Sequence, residues 1–281
     1  MLGAICGDIL GSTIEFEETK YDDISKIRLF LETNHITDDT VLTCAVADWL
    51  LNDIKEKYFD DEYLRKSLSQ KFVKWTRWSA IREMAYGHSY IQWFFKAELI
   101  QEYAPINSYG NGSGMRVSPV GYFFDTIEET MRFAKLSADV THNHPEGEKG
   151  AMCIAAAIFL SRKGYDKKYI KDYLVRAFGY EKINEDIAQL RKDCKWSCTC
   201  QDTVPLAVVA FLESEDYESA IRNAMSYGSD ADTIACMAGA IAEAYYGKVP
   251  LNIKAFCYTK IPEKQRNLIE KFYDKTSPDL S

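Results

Sequence analysis

Residues 36–50 of the chain read ITDDTVLTCAVADWL, which places two adjacent carboxylates between threonines directly before an apolar stretch. The apolar side chains recur in an i, i+1, i+4, i+5 pattern, which predicts a helix with a wide buried face that begins near Asp39. That face comprises Val41, Leu42, Ala45, Val46, Trp49 and Leu50. A helix cap uses one acid, so the second acid of the pair needs another explanation.

Most of the chain carries apolar residues at helical spacing. The clearest further segments are AMCIAAAIFLSRKG (151–164), DTVPLAVVAFLESE (202–215) and DTIACMAGAIAEAYYG (232–247). Only VSPVGYFF (117–124) is a candidate for an extended strand, and a loop would fit it equally well. We therefore expect an all-α fold in which residues 1–281 form one domain. The small residues of the last segment predict that a neighbouring chain segment approaches it closely.

Composition and charge restrict the possible partners. The 34 Lys and Arg residues are outnumbered by 42 Asp and Glu residues and are dispersed, which argues against binding to nucleic acid. The N-terminal stretch lacks the basic start of a secretion signal, and no apolar run reaches the ~18–20 residues that cross a bilayer. We expect a cytoplasmic protein without a membrane partner.

The cysteines suggest packing rather than a disulfide framework, because most of the eight lie inside apolar stretches. The exception is CKWSCTC (194–200), whose close thiols raise the possibility of zinc. Structural zinc uses four ligands, and no matching pair accompanies these three cysteines. Zinc is therefore the less favoured interpretation.

A second acidic segment, SDADT (229–233), also begins an apolar helix and repeats the pattern of residues 37–40. Capping explains one acid per helix start, whereas carboxylates packed against apolar helices raise each other's pKa unless a cation lies among them. Mg²⁺ and Mn²⁺ take carboxylate and hydroxyl oxygens as ligands, and both segments lack His and Cys. The sequence therefore predicts one or two hard divalent cations held by both segments.

Five segments in the same order resemble the ADP-ribosylglycohydrolase family. They are GAICGDILGSTIEFE (3–17), ITDDTVLT (36–43), YGNGSGMRVSPVG (109–121), THNHPEGEKGA (141–151) and GSDADTIACMAGAIAEAYYG (228–247). The likeness runs from residue 1 to about residue 262. It implies an all-α, orthogonally packed single domain, with a binuclear Mg²⁺ or Mn²⁺ centre at the bottom of a cleft that holds ADP-ribose.

The resemblance also implies roles for individual residues. The metal ligands would be Thr37, Asp38, Asp39, Asp230, Asp232 and Thr233. Glu15, with Asp39 and Asp230, would act in catalysis. The substrate would be bound by Gly110, Asn111, Gly112, Ser113 and His142. His144 would fix its own loop, and the cysteines at 198 and 200 would pack or line the cleft. Ala231, where the family often has Thr, and Glu243, in a helix usually richer in Gly and Ala, are the departures.

The expected activity is metal-dependent hydrolysis of the glycosidic bond between ADP-ribose and an acceptor such as a protein side chain, with release of ADP-ribose. Two alternatives stay open. One is a non-catalytic ADP-ribose-binding or crystallin-like structural protein. The other is a metal-dependent phosphohydrolase that cleaves the diphosphate. The sequence does not distinguish arginine, serine or nucleic-acid acceptors, Mg²⁺ from Mn²⁺, oligomeric states, or which acid handles the proton.

Overall fold

The architecture is all-α, as predicted. The computed structural model describes residues 1–54, 60–79 and 85–276, and within these ranges there is no β-sheet, only an isolated bridge between Gly110 and Thr199. The extended strand or loop considered for residues 117–124 was wrong, because Ser118–Phe123 forms a short helix. Pro119 lies in its first turn, where the fixed φ of proline favours a helix start.

Fifteen α-helices are defined in the described ranges. In chain order they are α1 (Leu2–Gly11), α2 (Asp38–Asn52), α3 (Asp61–Trp78), α4 (His88–Ile100), α5 (Gly112–Met115), α6 (Ser118–Phe123), α7 (Ile127–Asp139), α8 (Pro145–Arg162), α9 (Lys167–Phe178), α10 (Ile187–Asp193), α11 (Cys200–Leu212), α12 (Tyr217–Met225), α13 (Ala231–Tyr246), α14 (Leu251–Lys260) and α15 (Glu263–Thr276). The helices predicted from periodicity correspond to α2, α8, α11 and α13. None of the described helices combines the length and the apolar character that a membrane crossing requires.

The core is built around α1 and α13, both of which are buried along most of their length. A Cβ atom added to Gly7 of α1 would lie 2.1 Å from the carbonyl oxygen of Ala235, and one added to Gly11 would lie 2.5 Å from Cα of Asp232. Because the residues of α13 are small, the backbones of α1 and α13 pack directly against each other, as the sequence predicted. This contact fixes the end of α1 against the acidic start of α13.

Glu243, a departure from the family pattern, has a structural role at the far end of α13. Its carboxylate accepts hydrogen bonds from the amino group of Met1 at 2.7 Å, the amide of Gly3 at 2.8 Å and the hydroxyl of Tyr273 at 2.5 Å. The side chain thereby links α13 to α1 and α15. Because its charge is paired and hydrogen-bonded, its burial is compatible with a stable core.

Candidate active site

The starts of α2 and α13 meet at a cleft of about 380 Å³. Two residues that are 194 positions apart in sequence are in direct contact there, since the hydroxyl of Thr233 donates to Oδ1 of Asp39 at 3.2 Å. Most of the predicted site residues line the cleft, namely Glu15, Asp38, Asp39, Gly110, Asn111, Gly112, His142, Asp230, Asp232 and Thr233. The two acidic segments therefore converge in space, as the charge pattern predicted.

The start of α2 is held in place by Asp8, a fully buried carboxylate on α1. Its oxygens accept hydrogen bonds from the amide and hydroxyl of Thr37, at 3.1 and 2.8 Å, and from the amide and hydroxyl of Thr40. Asp8 was not among the site residues predicted from the sequence. The available signal was a single acid inside the otherwise apolar run of 1–11.

The carboxylates in the cleft lie close together, and one of their oxygens has no hydrogen-bond partner among the described residues. Oδ2 of Asp39 is buried and has no hydrogen-bond partner among the described residues. One carboxylate oxygen from each of Glu15, Asp230 and Asp232 lies within 4.8 Å of the others. Burial, followed by repulsion from Asp230 and Asp39, raises the pKa of Asp232 well above its usual range. Such a cluster needs protons or cations to be stable.

Glu15 is half-buried at the edge of this cluster. Burial, with further contributions from the charges of Asp230 and Asp8, raises the pKa of Glu15 to about 8. Asp38 is also half-buried, and burial and the charge of Glu15 raise its pKa. A carboxyl group whose pKa is moved towards neutrality in a cleft is typical of a catalytic site.

The donor set fits a hard divalent cation. The clustered groups offer carboxylate and hydroxyl oxygens, and Asp39, whose buried Oδ2 has no partner among the described residues, lines the same cleft. Among the described residues that line the cleft, Arg116 is the only Lys or Arg, and it is fully buried. Protein cations therefore do not neutralise the acids, which matches the oxygen-rich sites of Mg²⁺ or Mn²⁺.

Thr37 and Ser113 are the two predicted site residues that do not line the cleft as the described residues define it. The hydroxyl of Thr37 donates to Asp8 and accepts a hydrogen bond from the amide of Asp39 at 3.3 Å. The hydroxyl of Ser113 donates to the carbonyl of Gly147 at 2.7 Å. Both side chains thus hold the surrounding backbone, and their assigned roles as metal ligand and substrate ligand stay predictions.

The glycine loop, residues 110–113, borders the cleft beside the acids. The side-chain amide of Asn111 donates to Oδ2 of Asp230 at 2.7 Å, which joins the loop directly to the acidic cluster. A Cβ atom at Gly112 would lie 3.1 Å from Nε2 of His142. The absence of side chains at this position lets the backbone and the imidazole lie close together at the wall of the cleft.

His142 presents one ring nitrogen to this loop. Its Nδ1 is hydrogen-bonded to the hydroxyl of Thr141 at 2.7 Å, which leaves Nε2 towards the glycines. Burial and the nearby charge of Arg116 lower the pKa of His142, so that the neutral imidazole is favoured. His144 instead accepts the amide hydrogen of Glu146 at 3.1 Å and caps α8, the loop-fixing role predicted for it.

The segment 194–200 connects three parts of the site. The carbonyl of Cys198 accepts from the amide of Asn111 at 2.8 Å, and the amide of Ser197 donates to the hydroxyl of Ser229 at 3.1 Å. The indole of Trp196 donates to the carbonyl of Glu15 at 3.1 Å. Trp196 lines the cleft and was not among the predicted site residues, because its position depends on contacts from distant parts of the chain.

Comparisons with known proteins identify relatives of this sequence and of its fold. A family model described as ADP-ribosylglycohydrolase matches residues 1–278. The chain is 26% identical to the ADP-ribosylhydrolase ARH3 of Gallus gallus over 97% of its own length and 92% of the relative's. It is 25% identical to the ADP-ribosylarginine hydrolase Tri1 of Pseudomonas putida (strain GB-1), over 88% and 69% of the two chains. A solved structure titled ADP-ribosylglycohydrolase-related protein complex shares the fold, with a TM-score of 0.73, 21% identity and coverage of 98% and 95%.

Proposed function

Because the chain belongs to the ADP-ribosylglycohydrolase family, we propose that it hydrolyses the glycosidic bond between ADP-ribose and an acceptor side chain, with release of ADP-ribose. The observation that carries this proposal is the cleft in which a cluster of acids, one of them with an unpartnered buried oxygen, adjoins the glycine loop. The names of the ARH3 and Tri1 relatives support an ADP-ribosylated substrate.

We assign the metal-binding role to the acidic segments at the starts of α2 and α13. The proposed ligands are Thr37, Asp38, Asp39, Asp230, Asp232 and Thr233 for two Mg²⁺ or Mn²⁺ ions. Bound ions would offset part of the negative charge of the carboxylates and polarise hydroxyl groups of the ribose. The unpartnered oxygen of Asp39 and the cluster of Glu15, Asp230 and Asp232 support this assignment.

The remaining residues bind and orient the substrate. In the glycine loop the amides of Gly110 and Asn111 donate to Ser108 and Cys198, so we assign the diphosphate to the amides of Gly112 and Ser113, where α5 begins. Nε2 of the neutral His142 is available for a hydrogen bond to a phosphate or ribose oxygen. These contacts would direct the glycosidic carbon C1″ of the ribose towards the carboxylates.

Proton transfer is assigned to Glu15, which lies at the edge of the acidic cluster and is half-buried. In this position it can protonate the leaving group or take a proton from the attacking water. The charges of Asp39 and Asp230 would stabilise the positive charge that develops on the sugar as the glycosidic bond breaks. The acids thus have different tasks in one cleft.

The activity is tested with ADP-ribosylated arginine and serine peptides incubated with Mg²⁺, with Mn²⁺ and with EDTA, with products identified by mass spectrometry. Release of free ADP-ribose that EDTA suppresses would support the proposal. AMP and ribose phosphate as products would indicate a phosphohydrolase instead. Binding of ADP-ribose without release from either peptide would indicate a non-catalytic binder.

Substitution of Glu15→Gln tests the proton-transfer role. We expect kcat to fall by about 10²–10⁴-fold, the usual contribution of a general acid or base, with ADP-ribose affinity changed by less than about threefold. Glu17→Gln is the matched control, because Glu17 is exposed on the same loop. Equal kcat values for the two variants would remove Glu15 from the mechanism.

A further inference from the structure

An exposed aromatic pair, Phe16 and Trp196, stands at the mouth of the cleft. The two rings are stacked with centroids 6.5 Å apart and planes inclined by 30°, and both side chains line the cleft. Phe16 is 71% exposed and Trp196 is 38% exposed, so this aromatic surface is open to a ligand. Solvent exposure of two large rings beside a functional cleft is a feature of ligand recognition sites.

The aromatic pair is held in position by the backbone around it. The indole hydrogen bond to the carbonyl of Glu15 fixes Trp196 relative to the acid that precedes Phe16. The ammonium group of Lys20 donates to the carbonyl of Cys194 at 2.7 Å, which ties the two loops together a second time. A ligand that stacks on these rings would therefore lose little binding free energy to ordering the site.

The location of the pair indicates which part of the substrate reaches it. Under the proposed function, C1″ lies beside Glu15 and the diphosphate lies along the glycine loop. The acceptor is bonded to C1″ and must extend towards solvent past the residues adjoining Glu15. Phe16 follows Glu15 in the chain, and the indole of Trp196 is hydrogen-bonded to the backbone carbonyl of Glu15. The acceptor therefore passes the aromatic pair.

The chemistry of the aromatic pair favours a planar, cationic acceptor. The acids that line the cleft are accompanied by one buried arginine, and the exposed charges beside the pair are mixed, with Glu17 and Glu18 on the loop that carries Phe16 and with Lys20 and Lys195 near Trp196. A guanidinium is planar and delocalised, and it stacks on aromatic faces through cation–π attraction. A serine side chain offers neither the charge nor the planar surface.

We propose that Phe16 and Trp196 form an acceptor subsite that selects ADP-ribosylated arginine through stacking on its guanidinium. This inference rests on the proposed function. In the reaction the bond from C1″ to the guanidine nitrogen breaks and a bond from C1″ to the oxygen of water forms. One proton of that water ends on the leaving nitrogen and the other stays on the new C1″ hydroxyl, so the products are ADP-ribose and an unmodified arginine.

The test compares kcat and KM on two peptides of the same sequence, one ADP-ribosylated on arginine and the other on serine. We expect the wild type to prefer the arginine peptide. Trp196→Ala should lower kcat/KM on it by about tenfold, mainly through KM, as expected for loss of a cation–π contact. The serine peptide should change by less than about threefold. Trp196→Phe, which keeps a ring but loses the indole N–H, should retain most of the preference.

Two further measurements separate the subsite from other roles of Trp196. Trp78→Ala is the matched control, because Trp78 is 43% exposed and does not belong to the described cleft lining. We expect it to keep the preference for the arginine peptide. Calorimetric titration with free ADP-ribose should give the same affinity for wild type and Trp196→Ala, since the rings are assigned to the acceptor.

Several results would overturn the subsite. Weaker ADP-ribose binding by Trp196→Ala would show that the rings bind ADP-ribose itself. Equal losses of kcat/KM on both peptides would mean that Trp196 only positions Glu15. A Trp196→Phe variant as impaired as Trp196→Ala would assign the effect to the indole hydrogen bond. A wild-type preference for the serine peptide would also contradict the proposed acceptor subsite. Release of ADP-ribose from neither peptide would instead contradict the proposed function.

Discussion

Helix α2 carries a buried carboxylate near each end, and the two carboxylates differ in how many hydrogen-bond donors surround them. Asp48, which is 5% exposed, accepts hydrogen bonds from the indole of Trp75 at 2.8 Å and from the ammonium groups of Lys71 and Lys74 at 3.0 Å each. Asp39, which is 1% exposed, receives one hydrogen bond from Thr233, and its Oδ2 has no partner among the described residues.

The pKa values of the two acids reflect this difference. Burial alone would raise the pKa of Asp48, but the hydrogen bonds from Trp75, Lys74 and Lys71 lower it to about 2. For Asp39, burial and then repulsion from Asp8 and Asp38 raise the pKa well above its usual range. The protein thus supplies donors to an acid that stabilises the fold. It supplies fewer donors to the acid that we assign to an external cation.

The largest effect is expected from Asp39→Asn. This change removes a proposed metal ligand, so kcat/KM for ADP-ribose release should fall by about 10³-fold or more, equivalent to several kcal/mol of transition-state stabilisation. The metal-free variant should unfold at the same or a higher urea concentration than metal-free wild type, because an unpaired buried charge has been removed. Asp48→Asn is the control and should keep kcat/KM within about threefold. Equal kcat/KM values for Asp39→Asn and Asp48→Asn would contradict the proposed difference between the two acids.

Metal addition should also distinguish Asp39 from Asp48 through its effect on the thermal stability of the two variants. A ligand that binds only the folded state adds about 2.7 kcal/mol at a free concentration one hundred times its Kd. We expect Mg²⁺ or Mn²⁺ to raise the melting temperature of EDTA-treated wild type and of Asp48→Asn, and to leave Asp39→Asn almost unchanged. A full metal-dependent increase in Asp39→Asn would show that Asp39 is dispensable for binding.

Loss of the Asp48 carboxylate should reduce stability without involving metal. Asp48→Asn leaves the ammonium groups of Lys71 and Lys74 without their shared acceptor charge, and we expect the free energy of unfolding to fall by about 2 kcal/mol. Urea denaturation of the metal-free proteins measures this change. A variant as stable as wild type would mean that the lysines are equally well solvated without Asp48.

The sequence predicted the acidic site because charge next to apolar helices has few explanations. Asp38 with Asp39 and Asp230 with Asp232 exceed what capping requires, and the structure brings both pairs to one cleft. The fold followed from helical periodicity, and the small residues of α13 foretold the close contact that Gly7 makes with Ala235. These signals are local, so one sequence was sufficient to interpret them.

Other features depend on contacts that a single sequence does not reveal. Asp8 is a lone acid whose donors, Thr37 and Thr40, become identifiable only when α1 and α2 are placed side by side. Trp196 belongs to an irregular segment without periodicity, and it donates a hydrogen bond to the backbone carbonyl of Glu15, which is 181 positions away in the sequence. The short run 117–124 was interpreted as a strand or a loop and not as a helix, because a mostly buried segment has no polar face to set the period.

The smallest effect concerns the pH dependence of stability at Asp48. Its pKa is about 2 in the folded protein and ~3.9 in an unfolded chain, so the folded state favours the ionised form. The resulting stabilisation is fully present above about pH 4 and is lost as the pH falls towards 2, by about 1 kcal/mol once solvent screening is allowed for.

Urea denaturation of metal-free wild type and Asp48→Asn between pH 5 and pH 2 isolates this contribution, because every other carboxyl group titrates in both proteins. The stability difference between the two should shrink as the pH falls. A constant difference would mean that Trp75, Lys71 and Lys74 do not favour the ionised carboxylate. The contrast with Asp39 would then rest only on the repulsion of Asp39 by Asp8 and Asp38, since both acids are buried and neither would gain from donors supplied by the protein.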